Sequence, residues 1–360
     1  MLLLNGDEAV LQFSLDDVTL KVINNDFLPY QLKDWLKDTD FSTSESIKRS
    51  VHQFDVFKDF LLSRLLLFTR DNAKAILNSI AATQVNSINE KLKIIQTCRA
   101  LSMTDNFWIK DESESINFGD VNLRNHRLGD VAFPIAIQGK VVSAASSVLR
   151  PELATSGMFA KTWYRGLNGI RLWKTDKTTD RVNTKAEVAV SNFLDNTNVK
   201  HVQYELEEHH GVLIASCDCI ATDDVSIVSA QSVKTWLEHK KVVFHDWIES
   251  NYLEDFAKMC TIDYLIANTD RHEENWGFLI DNRTNEIIEM APLFDHNQAL
   301  IADYLKYEVD DLIYEPTNLT MFQSASEYYH KSNVVLHDLP TEASKKRLQK
   351  LLELKDLNAF

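Results

Sequence analysis

The chain has 360 residues, of which 44% are hydrophobic and 25% are charged, and its formal net charge is −15 at pH 7. These proportions are typical of a globular protein, and the length allows two domains or a two-lobed unit with an additional module. A general nucleic-acid or anionic-membrane binder needs a basic surface to attract phosphates. The negative charge therefore argues against direct nucleic-acid or membrane binding, but it is compatible with a local basic pocket for a nucleotide.

The first residues, MLLLNGDEAVLQF, lack a basic region and a long apolar core, so they do not predict a signal peptide. The apolar cluster at 60–68 is interrupted by Arg64 and is too short to span a bilayer. The four cysteines show no zinc-type spacing, which favours buried, reduced thiols. We therefore expect a cytoplasmic protein.

The N-terminal part predicts an accessory α+β region over residues 1–150. Residues 1 to about 42 alternate apolar and polar residues, as short strands do, whereas residues 44–102 carry apolar residues at helical spacing. Residues 101–126 mix aromatic, acidic and asparagine residues. We interpret that segment as a packed loop that anchors the accessory region to the rest of the chain.

A small, polar stretch follows, which contains Ser156 and Gly157. After it in sequence, Phe159, Lys161 and Trp163 recur at every second position, which puts them on one face of a predicted strand. Glycine lets backbone amides approach a phosphate closely, and serine can donate a hydrogen bond to it. The stretch predicts a phosphate-binding loop, although an ordinary turn into a strand has the same pattern.

Lys174 shares one face of the next predicted strand with Ile170 and Leu172. A lysine in line with core-facing side chains needs an anionic partner, because a buried ammonium group is costly otherwise. A nucleotide phosphate is one such partner, and a lysine that extends to solvent at the strand end is the alternative. Glu187, on the following helix, either pairs with Lys174 or completes a capping box with Thr184.

The most informative stretch is 261–300. An apolar helix leads into a polar loop, and two runs of strand-forming residues, 276–280 and 286–290, follow on either side of the turn segment DNRTN. An antiparallel hairpin over 276–290 would carry the chain out and back. Pro292 cannot donate to a strand ladder, so the pairing should end there and leave the next residues in a loop.

This hairpin should bring Asp295 close to Asp270 and Asn275. Carboxylate and amide oxygens are ligands that Mg²⁺ prefers, with substrate phosphates and water completing its shell. A carboxylate beside that site can accept the proton of an attacking hydroxyl. The alternative is that the three residues only cap turns, which Asp and Asn often do.

The segments NTDRHEENWGFL and MAPLFDHNQAL resemble the catalytic core of HipA-like serine/threonine kinases. The resemblance implies that Asp270 is catalytic and that Asn275 and Asp295 bind the metal. There is no Asp-Phe-Gly motif at Asp295, and His272 stands where eukaryotic protein kinases place a lysine. These departures argue against a kinase of the eukaryotic type.

The resemblance also implies a bilobal protein-kinase-like fold of the α+β class, with the N-lobe at 151–222 and a mostly helical C-lobe at 223–360. The expected cofactors are ATP and Mg²⁺. The expected nucleotide-binding residues are Ser156, Gly157, Lys161, Lys174, Glu187 and His272. A serine of the corresponding loop can be autophosphorylated in this family, so the resemblance implies possible autophosphorylation of residues 155–157.

The sequence thus predicts a protein kinase that acts on serine or threonine of a protein substrate, with an antitoxin-like protein as a possible further partner. Two alternatives stay open. One is a pseudokinase-like module that binds a nucleotide or a partner without transfer. The other is a transferase of the same fold that phosphorylates a small molecule or transfers AMP.

Overall fold

The computed structural model describes residues 1–65, 71–72, 75–76, 87–125, 132–140, 159–166 and 169–357. Ser156 and Gly157, with the rest of the predicted phosphate-binding loop, lie outside these ranges. Within them, no helix combines the length and the apolar character that crossing a bilayer requires.

The N-terminal part is built on an antiparallel sheet of four strands in the order β3-β2-β1-β4. The strands are β1 (Leu2–Asn5), β2 (Glu8–Ser14), β3 (Thr19–Val22) and β4 (Phe107–Lys110). Buried Leu3, Leu11 and Phe13 pack against Phe57 of a following helix. The helices are Ser44–Ser63, Ile88–Thr97, Phe118–Val121 and Ala132–Ala136.

Strand β4 corrects the expectation that residues 101–126 form only a packed loop. Residues 107–110 pair with residues 2–5 at the edge of the first sheet. Because these partners are about a hundred residues apart, no local pattern could reveal the pairing. The anchoring role is present: Met103 and Trp108 pack in one buried cluster with Trp163 of the next sheet.

The second sheet is also antiparallel and has the order β5-β6-β8-β7. Its strands are β5 (Ala160–Gly166), β6 (Gly169–Thr175), β7 (Tyr204–His209) and β8 (Val212–Asp218). The helix Val182–Leu194 packs on this sheet, with Val188 buried against Tyr204, Ala215 and Cys217. Strand β6, which carries Lys174, and the helix 182–194, which carries Glu187, are thereby held next to each other.

The C-terminal part holds the largest core, which includes Phe256, Tyr264, Trp276 and Tyr328. A three-stranded sheet has the order β11-β10-β9, and a short hairpin pairs two more strands. The strands are β9 (Val225–Ser229), β10 (Gly277–Asp281), β11 (Glu286–Met290), β12 (Ile313–Tyr314) and β13 (Leu319–Thr320). The helices are Ala230–His239, Phe244–Leu265, Ile301–Leu305, Met321–Tyr328 and Glu342–Leu357.

The predicted hairpin is present as β10 and β11. Gly277 begins β10 at a place where a side chain would not fit, because a Cβ there would lie 2.0 Å from the carbonyl oxygen of Val228. Its close approach to β9 fixes where the hairpin leaves the preceding loop. The α+β class is confirmed, while the division at residues 150 and 222 stays a prediction.

Candidate active site

The ammonium group of Lys174 lies at the centre of a buried ionic cluster. Its Nζ is 2.8 Å from Oδ1 of Asp295, 3.0 Å from Oε1 of Glu187 and 3.0 Å from the hydroxyl oxygen of Tyr204. The side chain of Glu187 is 1% exposed and that of Lys174 is 9% exposed. The cluster therefore joins β6, the helix 182–194, β7 and the loop after β11.

The charges of this cluster stabilise one another. Burial alone would lower the pKa of Lys174, but the carboxylates of Asp295 and Glu187 raise it well above its ordinary value. Burial alone would raise the pKa of Asp295, but the positive charge of Lys174, with that of Lys161, holds it below its ordinary value. Burial raises the pKa of Glu187, and Lys174 opposes that shift. Lys174 and Asp295 are thus held as ions.

The structure separates the two interpretations of Glu187. The capping box with Thr184 is absent: the helix begins after Arg181, and the hydroxyl of Thr184 donates to the carboxylate of Asp176 at 2.8 Å. Glu187 accepts from Lys174 instead. The ion pair with Lys174 therefore takes the place of the capping box.

Lys161 adds a second positive charge beside Lys174. The two residues are directly opposite each other on β5 and β6, so their side chains lie on the same side of the sheet. Like charges in such a pair repel each other unless an anion compensates them. Lys161 also lowers the pKa of Asp295, which places its charge near that carboxylate.

The loop between the helix 244–265 and β10 carries the other predicted residues. Nδ2 of Asn275 donates to the backbone oxygen of Asp270 at 2.8 Å, which closes the loop on itself and leaves the amide oxygen for another partner. Desolvation raises the pKa of Asp270, the negative charge of Asp295 raises it further, and His272 acts in the opposite direction. The carboxylates of Asp270 and Asp295 are thus close enough to repel each other.

Arg271 is a structural residue of the site that the sequence did not single out. Its side chain and that of Asp263 are both fully buried, and Nε of Arg271 lies 2.8 Å from Oδ2 of Asp263. Nη1 donates to the backbone oxygens of Asn275 and Phe294. Arg271 therefore fastens the loop of Asp270 to the loop of Asp295. The pattern Asp263…Arg271 was the available signal, but it is common in sequences.

Most of the predicted site residues line one cavity of about 1040 Å³. Its wall extends from the hairpin mouth to the chain between β8 and β9 and to parts of the N-terminal region. The predicted site residues that line it are Lys161, Lys174, Asp270, His272, Asn275 and Asp295. Glu187 lies behind Lys174, outside the lining.

The donor set fits a magnesium ion. In the described part of the chain, no three His, Cys, Asp or Glu side chains come together as a metal cluster. Magnesium, however, is commonly held by one or two protein carboxylates while phosphates and water fill its other positions. Asp295 and Asn275 offer a carboxylate and an amide oxygen to the cavity, and Lys161 and Lys174, which also line it, offer positive charge for phosphates.

Comparison with known proteins shows which fold the chain resembles. A model of the phosphatidylinositol 3- and 4-kinase family matches residues 172–329, which contain Lys174, the hairpin and Asp295. A search of curated protein sequences finds no significant match.

Two solved structures resemble the chain. The complex of HipA, HipB and operator DNA from the Shewanella oneidensis MR-1 toxin–antitoxin system contains a chain with a TM-score of 0.50 and 12% identity, over 98% of this chain and 96% of that one. The Helicobacter pylori proinflammatory kinase CtkA has a TM-score of 0.40 and 16% identity, over 55% of this chain and 88% of that one. The fold is therefore kinase-like, as predicted, and it is a fold of phosphotransferases.

Removing Arg271 should destabilise the protein strongly, because it would leave the carboxylate of Asp263 buried without its partner. We expect Arg271→Met to lower the free energy of unfolding by about 3–5 kcal/mol in urea titrations. Arg283→Met is the matched control, since the side chain of Arg283 is 78% exposed. It should change stability by no more than about 0.5 kcal/mol. Equal effects of the two substitutions would contradict the fastening role.

The contribution of Asp295 to stability should depend on pH. An aspartate in an unfolded chain has a pKa of about 3.9, and the folded chain holds the pKa of Asp295 below its ordinary value. At pH values between these two pKa values, the unfolded state binds more protons than the folded state. The stabilisation that ionised Asp295 contributes is therefore fully present near neutrality and is lost as the pH falls below about 5. The difference in unfolding free energy between the wild type and Asp295→Asn should therefore be constant above about pH 5 and shrink as the pH falls from about 5 to about 2. A constant difference would show that the pKa is not lowered.

Proposed function

We propose that this protein is an ATP- and Mg²⁺-dependent protein kinase that transfers the γ-phosphoryl group to serine or threonine of a protein substrate. One observation carries the proposal. Lys174, paired with Glu187, lies against Asp295, and Asp270 and Asn275 line the same cavity. This combination gives a phosphate-binding cation, two metal ligands and a proton acceptor in one site.

The nucleotide would be held mainly by positive charge. Lys174 and Lys161 face the same side of the sheet, and His272 lines the same cavity. Glu187 orients Lys174 through their 3.0 Å contact. Ser156 and Gly157 complete the proposal as a phosphate-covering loop, with autophosphorylation of residues 155–157 as a further expectation.

Asn275 and Asp295 would hold the metal, and Asp270 would receive the proton of the attacking hydroxyl. When bound, ATP supplies the phosphoryl group and Mg²⁺ neutralises its charge. The chain positions these groups relative to one another. The raised pKa of Asp270 suits this role, because it makes the carboxylate a better proton acceptor than an ordinary aspartate.

A second candidate is a kinase that acts on a small molecule. The match to the phosphatidylinositol 3- and 4-kinase family favours it, since that family's name states a lipid substrate. AMP transfer and a pseudokinase-like module without transfer are the further alternatives. An antitoxin-like protein partner also belongs to the proposal; the Shewanella HipA structure contains such a partner, HipB.

Asp270→Asn and Asp295→Asn should each reduce phosphoryl transfer by at least about 100-fold, because one removes the proton acceptor and the other a metal ligand. The measurement is incorporation of label from γ-labelled ATP, with circular dichroism to show that each variant is folded. Asp180→Asn is the control, since Asp180 is exposed and does not line the cavity. Wild-type rates in the folded variants would remove the assignment of these residues.

The choice between the candidates is made by following the label. The purified protein is incubated with Mg²⁺ and γ- or α-labelled ATP in the presence of a cell extract. We expect the γ-label on serine or threonine of a protein, identified by mass spectrometry. A labelled low-mass product would favour the small-molecule kinase, and transfer of the α-label would show AMP transfer. A thermal shift with ATP and Mg²⁺ but no transfer would indicate a pseudokinase.

A further inference from the structure

Asn297 carries a buried polar atom that the rest of the chain leaves without a partner. The residue is 9% exposed, and its Nδ2 donates to Oδ1 of Asp295 at 2.7 Å. Its carbonyl oxygen Oδ1 is buried, and no group of the protein donates a hydrogen bond to it within the described ranges. A buried carbonyl without a partner costs about 1–3 kcal/mol, so such an atom calls for a water or an ion to explain it.

The orientation of this amide is fixed by the charge beside it. Oδ1 of Asp295 accepts a hydrogen bond from the ammonium group of Lys174 at 2.8 Å, and the two groups form an ion pair. A carboxylate accepts hydrogen bonds and cannot donate them, so the amide nitrogen of Asn297 must be the atom that faces Asp295. Rotation of the amide would place two oxygens against each other. The atom left without a partner is therefore the carbonyl oxygen.

The position of Asn297 distinguishes it from other buried atoms that have no partner. Several such atoms lie in the hydrophobic core or within the sheets, such as Nε1 of Trp276 and Oγ of Ser216. Among the described residues that carry one, Asn297 alone lines the cavity of Asp270 and Asp295. Its backbone is held separately, because Nδ2 of Asn183 donates to its backbone oxygen at 2.8 Å.

We propose that Asn297 is part of the metal site: its amide nitrogen holds Asp295, and its carbonyl oxygen accepts a hydrogen bond from a water that the bound cation keeps. Magnesium gives up its water reluctantly, so oxygen acceptors around its shell are part of its binding site. The nitrogen and oxygen of one amide share a single carbon. An acceptor for the water is thereby placed next to the carboxylate that takes the cation. The inference rests on the proposed function only in requiring a divalent cation at Asp295.

The test measures metal binding directly. Mn²⁺ replaces Mg²⁺, and its binding in the presence of a non-hydrolysable ATP analogue is followed by electron paramagnetic resonance. We expect Asn297→Ala to weaken Mn²⁺ binding by about 10-fold or more. Asn183→Ala is the matched control, since it removes a hydrogen bond to the same backbone without removing the carbonyl oxygen. It should change the affinity by less than about twofold, well below the expected loss at Asn297.

A second variant separates the two atoms of the amide. Asn297→Asp keeps an oxygen for the water but replaces the donor to Asp295 by a like charge. We expect it to melt at a lower temperature than the wild type without metal, and Mn²⁺ should raise its melting temperature by more than it raises that of Asn297→Ala. An equal response of the two variants to Mn²⁺ would show that an oxygen at this place does not assist the cation, and the role of the carbonyl oxygen would be refuted.

The remaining outcomes distinguish this inference from the proposed function. If Asn297→Ala binds Mn²⁺ as the wild type does while Asp295→Asn does not bind it, the inference fails and the proposed metal site stands. If the wild type itself binds no Mn²⁺ with the analogue present, both fail.

Discussion

The architecture of the cleft depends on one buried charge, the ammonium group of Lys174. A lysine whose side chain is only 9% exposed would be strongly unfavourable without partners. Its two carboxylate partners come from different parts of the chain, Glu187 from the helix packed on the second sheet and Asp295 from the loop that follows the hairpin. The requirement to neutralise one cation therefore determines how close these two parts of the protein lie.

A second buried charge, that of Arg271, holds the loops that carry Asp270 and Asp295. Arg271 lies next to Asp270 in sequence but points away from the cavity, where Asp263 neutralises it. Because Nη1 of Arg271 donates to the backbone oxygens of Asn275 and Phe294, the two loops that carry the proposed metal ligands are held together. Tyr314 adds a hydrogen bond to Asp263 at 2.6 Å. Two buried charged groups, Lys174 and Arg271, thus hold the parts of the chain that carry the proposed site residues.

The sequence was most informative where the signal is local. The runs 276–280 and 286–290 have the composition of strands, and the turn between them specifies a hairpin, so the approach of Asp295 to Asn275 could be expected from spacing alone. The alternation around Lys174 likewise indicated an inward lysine. For Glu187 the same residues allowed a capping box and an ion pair, and only the position of the helix relative to β6 decides between them.

Other features depend on partners distant in sequence and could not be predicted. Residues 107–110 became a strand because residues 2–5 offered an open edge, which composition does not show. Arg271 could have been a solvated loop residue; its burial follows from Asp263 on the preceding helix and from the backbone oxygens of the loop that follows β11. The orphaned oxygen of Asn297 is visible only when all its neighbours have been placed.

The two aspartates of the proposed site have pKa values that the structure shifts in opposite directions. Asp295 is next to Lys174, which keeps its pKa low, so it remains an anion suited to a cation. Asp270 has no such contact with a lysine in the described structure; partial desolvation and the charge of Asp295 raise its pKa instead. A pair of carboxylates whose environments shift their pKa values in opposite directions is what acid–base chemistry beside a metal requires. The contact of Lys174 with Asp295 therefore separates the electrostatic environment of the proposed metal ligand from that of the proposed proton acceptor.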